Sequence, residues 1–229
     1  MRILACGAHP DDIDIFVFGT LAAARATGAE IGCLIATDGA AGSATPGAEL
    51  ARQRRAEATD AASGLGVAPI FLDCPDGGLA GDAEAAALLE AAIRRFAPDL
   101  VITHAPEDYH PDHRALARLV RDAARFHAPV LYADTLMGNG FTPTLYVDVT
   151  AHFDAKCAAI RAHASQRPER FVTACRTWNR FRALQCNAPE SYAEAFRFEP
   201  RYPFADLRAL LPPPPPVTPL GHYGQQTTT

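Results

Sequence analysis

The chain has 229 residues, 48% of them apolar and 21% charged, with a net charge of −5. A chain of this size and balance buries roughly 70% of its unfolded surface without staples, which excludes a disordered polymer. The acidic balance and the lack of a basic block argue against nucleic acid or an anionic membrane as partner, and no apolar run approaches the ~20 residues of a bilayer span.

Residues 2–7 read as a short apolar strand without the layout of a signal peptide. Residues 18–27 follow as a helix closed by Gly28, 30–36 as a second strand, and 48–65 as an Ala/Arg/Glu-rich helix stopped by Gly66. A third strand is expected over 69–73, a helix over 82–96, a fourth strand over 100–104 and a helix over 112–126. Strands at 130–133 and 145–149 and a helix at 151–165 complete the pattern. This alternation predicts an α/β fold, with a Rossmann-like, mostly parallel sheet flanked by helices in a single domain. Beyond Gln166 the pattern is irregular.

The domain is expected to span 1–211, and 212–229 to form a proline-rich extended tail. Residues 212–216 are all proline, which favours polyproline II. A tail held off the surface, carrying Leu220, His222 and Tyr223, predicts contact with a neighbour in a homo-oligomer. The six cysteines include no C-x-x-C pair. They read as small buried hydrophobes in a reducing cytoplasm.

Two loops carry chemistry. Gly7-Ala8-His9-Pro10-Asp11-Asp12 follows the first strand, and Glu107-Asp108-Tyr109-His110-Pro111-Asp112-His113-Arg114 follows the fourth. In a doubly wound sheet these strands are commonly neighbours at the point where strand order reverses, and ligands bind beyond their carboxyl ends. Convergence there supplies His9, Asp12 and His113, a set that suits Zn²⁺ and leaves a position open for water. Asp11 is left free as a base on that water. His110 stands opposite as an acid or charged stabiliser, and Asp112 is expected to hold the His110 ring and raise its basicity. Either motif alone is more often a turn or surface decoration; two of them at switch-point strands reverse that judgement. His104 is expected to support the site rather than ligate. No G-x-G-x-x-G follows the first strand, so no nucleotide cofactor is expected.

These residues resemble the LmbE-like (PIG-L) zinc de-N-acetylases. Ala8-His9-Pro10-Asp11-Asp12 with Gly19-Thr20-Leu21-Ala22 is similar to the family's first motif, and His110-Pro111-Asp112-His113-Arg114 to its second. Weaker likenesses lie at Thr37-Asp38-Gly39, Arg54 with Glu57, residues 72–77, residues 147–150, Lys156, residues 163–166 and residues 192–196. The resemblance implies zinc on His9, Asp12 and His113, Asp11 as general base and His110 as acid or oxyanion partner. It implies that Arg54 contacts substrate or product acetate, with a salt bridge as the alternative. It also implies that Asp76 contacts sugar hydroxyls, with a Pro-Asp-Gly turn as the alternative.

The implied activity is hydrolysis of an N-acetyl group from an N-acetylglucosamine-type compound, a small molecule. The alternatives are an amidase for a larger sugar–thiol conjugate and a metal-dependent sugar-binding protein without turnover. The chain departs from the family at Ile13-Asp14 and at Phe16-Val17-Phe18, where it usually carries small residues. If these rings face the core they alter packing only; near the site they reshape it.

Overall fold

The computed structural model describes residues 1–207, 210–213 and 215. Its strands are β1 (Arg2–Gly7), β2 (Glu30–Thr37), β3 (Ile70–Cys74), β4 (Leu100–Thr103), β5 (Val130–Ala133), β6 (Leu145–Asp148) and β7 (Ala193–Phe198). Its helices are α1 (Asp12–Phe16), α2 (Phe18–Ala26), α3 (Ala48–Ser63), α4 (Ala83–Phe96), α5 (Pro111–Ala124), α6 (Phe153–Ala162) and α7 (Glu169–Leu184). The strands form one sheet in the order β3-β2-β1-β4-β5-β7-β6. The first five are parallel, and β7 runs antiparallel to both β5 and β6.

Alternation along β1 explains why both faces are covered. Ile3 and Ala5 join Ile31, Cys33, Leu100 and Ile102 under α1, α2, α3, α6 and α7. Leu4 and Cys6 join Leu34 and Val101 under α4 and α5, against Leu89, Ile93, Leu116 and Val120. The expected pairing of the first and fourth strands is present, with Ile3, Leu4 and Ala5 opposite Leu100, Val101 and Ile102.

Three features differ from the sequence expectation. A short helix, α1, begins inside the first motif and breaks from α2 at Val17 (φ −139°). The helix expected over 151–165 ends at Ala162, and residues 164–166 form a separate 3₁₀ turn. The region read as irregular holds α7 and β7. Along α7 the buried stripe is Val172, Cys175, Trp178, Asn179, Arg182 and Ala183, at helical spacing but with two polar members. Both are bonded at depth: Asn179 Nδ2 donates to the Ala193 carbonyl at 3.0 Å, and Arg182 Nε donates to Asp134 Oδ2 at 2.6 Å, beside Trp178 Nε1 at 2.8 Å.

Of the tail, only residues 212, 213 and 215 are described; Asp148 N donates to the Pro213 carbonyl at 2.9 Å, and Pro215 is buried. Leu220, His222 and Tyr223, expected to touch a neighbour, lie outside the described residues.

A buried ion pair ties β7 to the first motif. Lys156 Nζ donates to Glu194 Oε1 at 2.6 Å, with side-chain exposures of 0% and 1%. Glu194 also accepts from Gly19 N at 3.0 Å and Thr20 N at 2.8 Å, satisfying the opening turn of α2. Gly19 has no room for a side chain there, since a Cβ would stand 2.6 Å from Val149 Cβ. Removing one partner of such a pair leaves an uncompensated charge in the core. Lys156→Met is therefore expected to lower unfolding free energy by about 3–5 kcal/mol in denaturant titration, with Lys156→Met/Glu194→Gln recovering part of the loss. A single variant with an unchanged midpoint would contradict the account.

Candidate metal centre and its cleft

The turn after β1 is closed by Asp12, whose Oδ2 accepts from His9 N at 2.7 Å. Asp11 stands at the N-cap position of α1 without a capping bond from its side chain, and Asp12 is the first residue of the helix. Across the β1–β4 junction, His110 caps α5 through its ring, Nδ1 accepting from Asp112 N at 3.2 Å. His113 thus lies in the first turn of α5. The two motifs meet as expected. His9 Nδ1 is 3.2 Å from His113 Nε2 and 3.3 Å from Asp12 Oδ2, and His113 Nε2 is 3.3 Å from Asp12 Oδ1. With metal bonds of about 2.0–2.2 Å, neighbouring ligand atoms of a tetrahedral shell stand roughly 3.3–3.5 Å apart. The two imidazole nitrogens hold that spacing to each other, and the Asp12 carboxylate holds it to each of them through a different oxygen.

Each imidazole is backed by carboxylate at its other nitrogen. His113 Nδ1 faces Asp108 Oδ1 at 3.1 Å, and His9 Nε2 faces Asp76 Oδ1 at 3.3 Å and Asp112 Oδ2 at 3.4 Å. His104 stacks on His113 with ring centroids 3.7 Å apart and places Nε2 3.0 Å from Asp12 Oδ2. Phe16 packs edge-on against His104, His113 and Trp178, so its ring forms the floor of the site, while Phe18 is buried in the core.

Electrostatics follow from this crowding. Burial alone disfavours the charged form of every group. For His9 it is outweighed by Asp12, Asp112 and Asp76, which hold the imidazole well above its usual range. For His113 it is outweighed by Asp12 and Asp108, which raise the group to about 9. Burial opposes ionisation of Asp12 too, yet His113, His104 and His9 hold it well below the carboxylate range. The pocket demands positive charge beside Asp12. A divalent cation on two imidazoles and a carboxylate answers that demand, and the donor set is one that such ions take.

Two expected roles change. The Asp112 carboxylate does not reach the His110 ring. It accepts from Gly77 N at 2.7 Å and Leu79 N at 3.3 Å, tying down the loop after β3, and only its backbone N–H meets His110. Its charge does favour the protonated ring, as expected, but burial, then His9 and His113, outweigh Asp12 and Asp112 and hold His110 below its usual value. Asp76 is likewise engaged inside the protein, with Oδ1 toward His9 and Oδ2 accepting from Ala41 N at 3.0 Å.

Asp11 and Arg54 form their own pair, Nη2 to Oδ1 at 2.8 Å. His9, Gly42, Arg54, Asp76, His110 and Gln166 line a cleft of about 420 Å³. Gln166 Nε2 donates to Ser165 Oγ at 3.0 Å, and Ser165 is held by Glu57, which accepts from its N and Oγ at 2.9 and 2.6 Å.

The groups that sequence reasoning missed are Asp108 and Gln166. Asp108 stood two residues before His110 in the same motif, but nothing in the linear pattern shows which way its carboxylate turns.

Residues 4–124 match the family model described as PIG-L, GlcNAc-PI de-N-acetylase. The chain is 30% identical over 222 residues to diacetylchitobiose deacetylase from Thermococcus kodakarensis, covering 87% of this chain and 83% of that one. It is 31% identical over 227 residues to 1D-myo-inositol 2-acetamido-2-deoxy-alpha-D-glucopyranoside deacetylase from a Mycobacterium species (strain KMS), covering 72% and 74%. Among solved structures, GalB, the 4-carboxy-2-hydroxymuconate hydratase from Pseudomonas putida KT2440, superposes with a TM-score of 0.79 over 87% of this chain and 97% of that one. At 23% identity that likeness is one of fold. The matched segment contains both histidine loops and more than half of the residues, and the chain belongs to the PIG-L, GlcNAc-PI de-N-acetylase, family.

Proposed function

We propose that the protein is a zinc-dependent hydrolase that removes the N-acetyl group from an N-acetylglucosamine-type amino sugar, releasing acetate and a free amine. The observation that carries this reading is the trio His9 Nδ1, Asp12 carboxylate and His113 Nε2, mutually 3.2–3.3 Å apart at the end of a cleft. The relatives' activities support the choice of substrate, since two of them are deacetylases of acetamido sugars by name.

Zinc held by these three residues would supply Lewis acidity and make a water nucleophilic near neutral pH. The chain's own groups do the rest. Asp11 accepts the water's proton as oxygen attacks the amide carbon. His110 accepts at Nδ1 from Asp112 N, so its proton sits on Nε2, and the neutral ring donates from there to the developing oxyanion. The C–N bond then breaks, and the amine leaves only once protonated. Asp11, now carrying the water's proton, and His110 are the two groups able to deliver it. Asp108, on the far nitrogen of His113, favours the tautomer that would present Nε2 to a metal.

The six cysteines are all free, which supports a reducing, cytoplasmic setting. Among the described residues no helix is long and apolar enough to cross a membrane.

Acetate release from a panel of N-acetylated amino sugars by zinc-loaded protein tests the reading; no release across the panel would defeat it. Asp11→Asn should retain zinc and the fold while kcat falls by about 10²–10⁴-fold. Elemental analysis beside the kinetics checks both halves, and near-normal turnover would remove Asp11 from its role. His113→Ala should abolish stoichiometric zinc, whereas Asp108→Asn should keep it with affinity weakened by about 10–100-fold, measured by competition with a chromophoric chelator. Unchanged affinity in Asp108→Asn would reduce the Asp108–His113 contact to packing.

A further inference from the structure

Asp11 is the carboxylate that the proposed reaction uses as its base, and one of its two oxygens is already taken. Arg54 donates from Nη2 to Asp11 Oδ1 at 2.8 Å, with side-chain exposures of 3% and 9%. Its Nη1 donates to the Gly39 carbonyl at 3.0 Å. The guanidinium is thus fixed at two points, one on the first catalytic loop and one on the loop after β2. That second loop is shaped around it. A Cβ at Gly39 would stand 2.8 Å from Nη1, and a Cβ at Gly42 would stand 2.3 Å from the same atom. Gly39 also needs its freedom at φ +67°, but Gly42 has no such constraint, so space alone accounts for its small size.

One N–H of each Nη atom is committed within the protein, which fixes the plane of the guanidinium at the edge of the cleft. The buried Nε has no partner among the described residues. Asp11 in turn has acidic neighbours that would push it away. Asp12 is adjacent in the chain, and Asp14 follows on the same short helix, held by His163 Nε2 at 2.7 Å. Without a counter-charge on Oδ1, repulsion and free rotation about the side-chain bonds would carry the carboxylate out of line with the attacking water.

We infer that Arg54 is a positioning residue for the base: it pins Asp11 Oδ1 from a cradle formed by Gly39 and Gly42, leaving Oδ2 to take the water's proton. The inference rests on the assignment of Asp11 as base. It gives the expected Arg-x-x-Glu element two coupled duties, since Glu57 one turn along α3 holds Ser165 and with it the Gln166 wall of the cleft.

The test uses the full-length, zinc-loaded protein and an N-acetylated amino sugar that it turns over. Arg54→Ala should lower kcat by about 10²-fold, leaving KM within roughly twofold and zinc content unchanged, because the lost contact acts on the base and not on bound substrate. Added methylguanidinium should restore part of that kcat in Arg54→Ala and none in Arg54→Ala/Asp11→Asn. Gly42→Ala keeps the cation but displaces it, and should reproduce the kcat loss even if Arg54→Ala folds poorly.

A rise in KM with kcat preserved in Arg54→Ala would make Arg54 a substrate contact and overturn the inference, as would a Gly42→Ala protein of normal kcat. So would an Arg54→Ala protein of normal kcat beside an inactive Asp11→Asn, a result that leaves the base itself in place. An active Asp11→Asn would remove the base, and the positioning role with it.

Discussion

Asp12 is the point on which the crevice depends. Its Oδ2 closes the turn after β1 through His9 N and meets His104 Nε2, while its Oδ1 faces His113 across the sheet. It is 5% exposed. An isolated carboxylate so deep would be neutral, because burial costs the charged form several kcal/mol. Three imidazoles around it reverse that preference. His9 and His113 would repel one another and shed their protons if Asp76, Asp108 and Asp112 were not set behind them, whereas burial and the neighbouring His113 keep His104 below its usual range. The cluster is therefore a single electrostatic object: removing any member changes the charge that the others tolerate. This is why a divalent cation suits it better than any one hydrogen bond.

The sheet delivers these groups, and the economy lies in topology. Strands β1 and β4 are separated by nearly a hundred residues in sequence, yet they pair in parallel, and the next residues after each strand are the histidine loops. Both loops run at once into helices, α1 and α5, whose first turns orient the ligands. Rigid elements thus set the donors on both sides, and the surrounding loops from β2 and β3 are tied in by Asp76 and Asp112 through backbone N–H groups. The loops that line the cleft are consequently anchored to the same carboxylates that back His9. Substrate-facing and metal-facing geometry cannot drift apart independently.

Much of this was legible in the residues. The strand–helix rhythm up to Ala162, the switch point between the first and fourth strands, and the convergence of His9, Asp12 and His113 all follow from hydrophobic runs and from two motifs placed at strand ends. The failures share a cause. In α7 the inward stripe includes Asn179 and Arg182, and in β7 the inward residue at 194 is glutamate. Buried polar groups erase the apolar periodicity on which such readings rely. Their partners, Asp134 and Lys156, lie 48 and 38 residues away, so no local window sees the compensation. Asp112 failed differently. Its position was plain, but which hydrogen bonds a carboxylate makes is decided by the loop it touches, here Gly77 and Leu79.

The adjacent aspartates show how local geometry divides labour. Neighbours at the start of a helix point about 100° apart, so consecutive side chains cannot face the same partner. With α1 beginning at Asp12, that residue turns toward α5 and its histidines, and Asp11 turns toward α3 and Arg54. Both carboxylates are buried, and both are charge-balanced, yet one is enclosed by imidazoles and the other by a guanidinium. Imidazoles can exchange their protons for a metal. A guanidinium cannot, because it stays charged at any pH the protein meets. On the proposed reading, the carboxylate beside the arginine is the one kept available for proton transfer, and the carboxylate among the histidines is the one that would join a metal. A shift of one residue would take Asp12 out of the histidine cluster and put Asp11 in its place with no second carboxylate left for Arg54, so the break between α1 and α2 at Val17, and the Glu194 contacts that hold the opening turn of α2, belong to the site as much as to the fold.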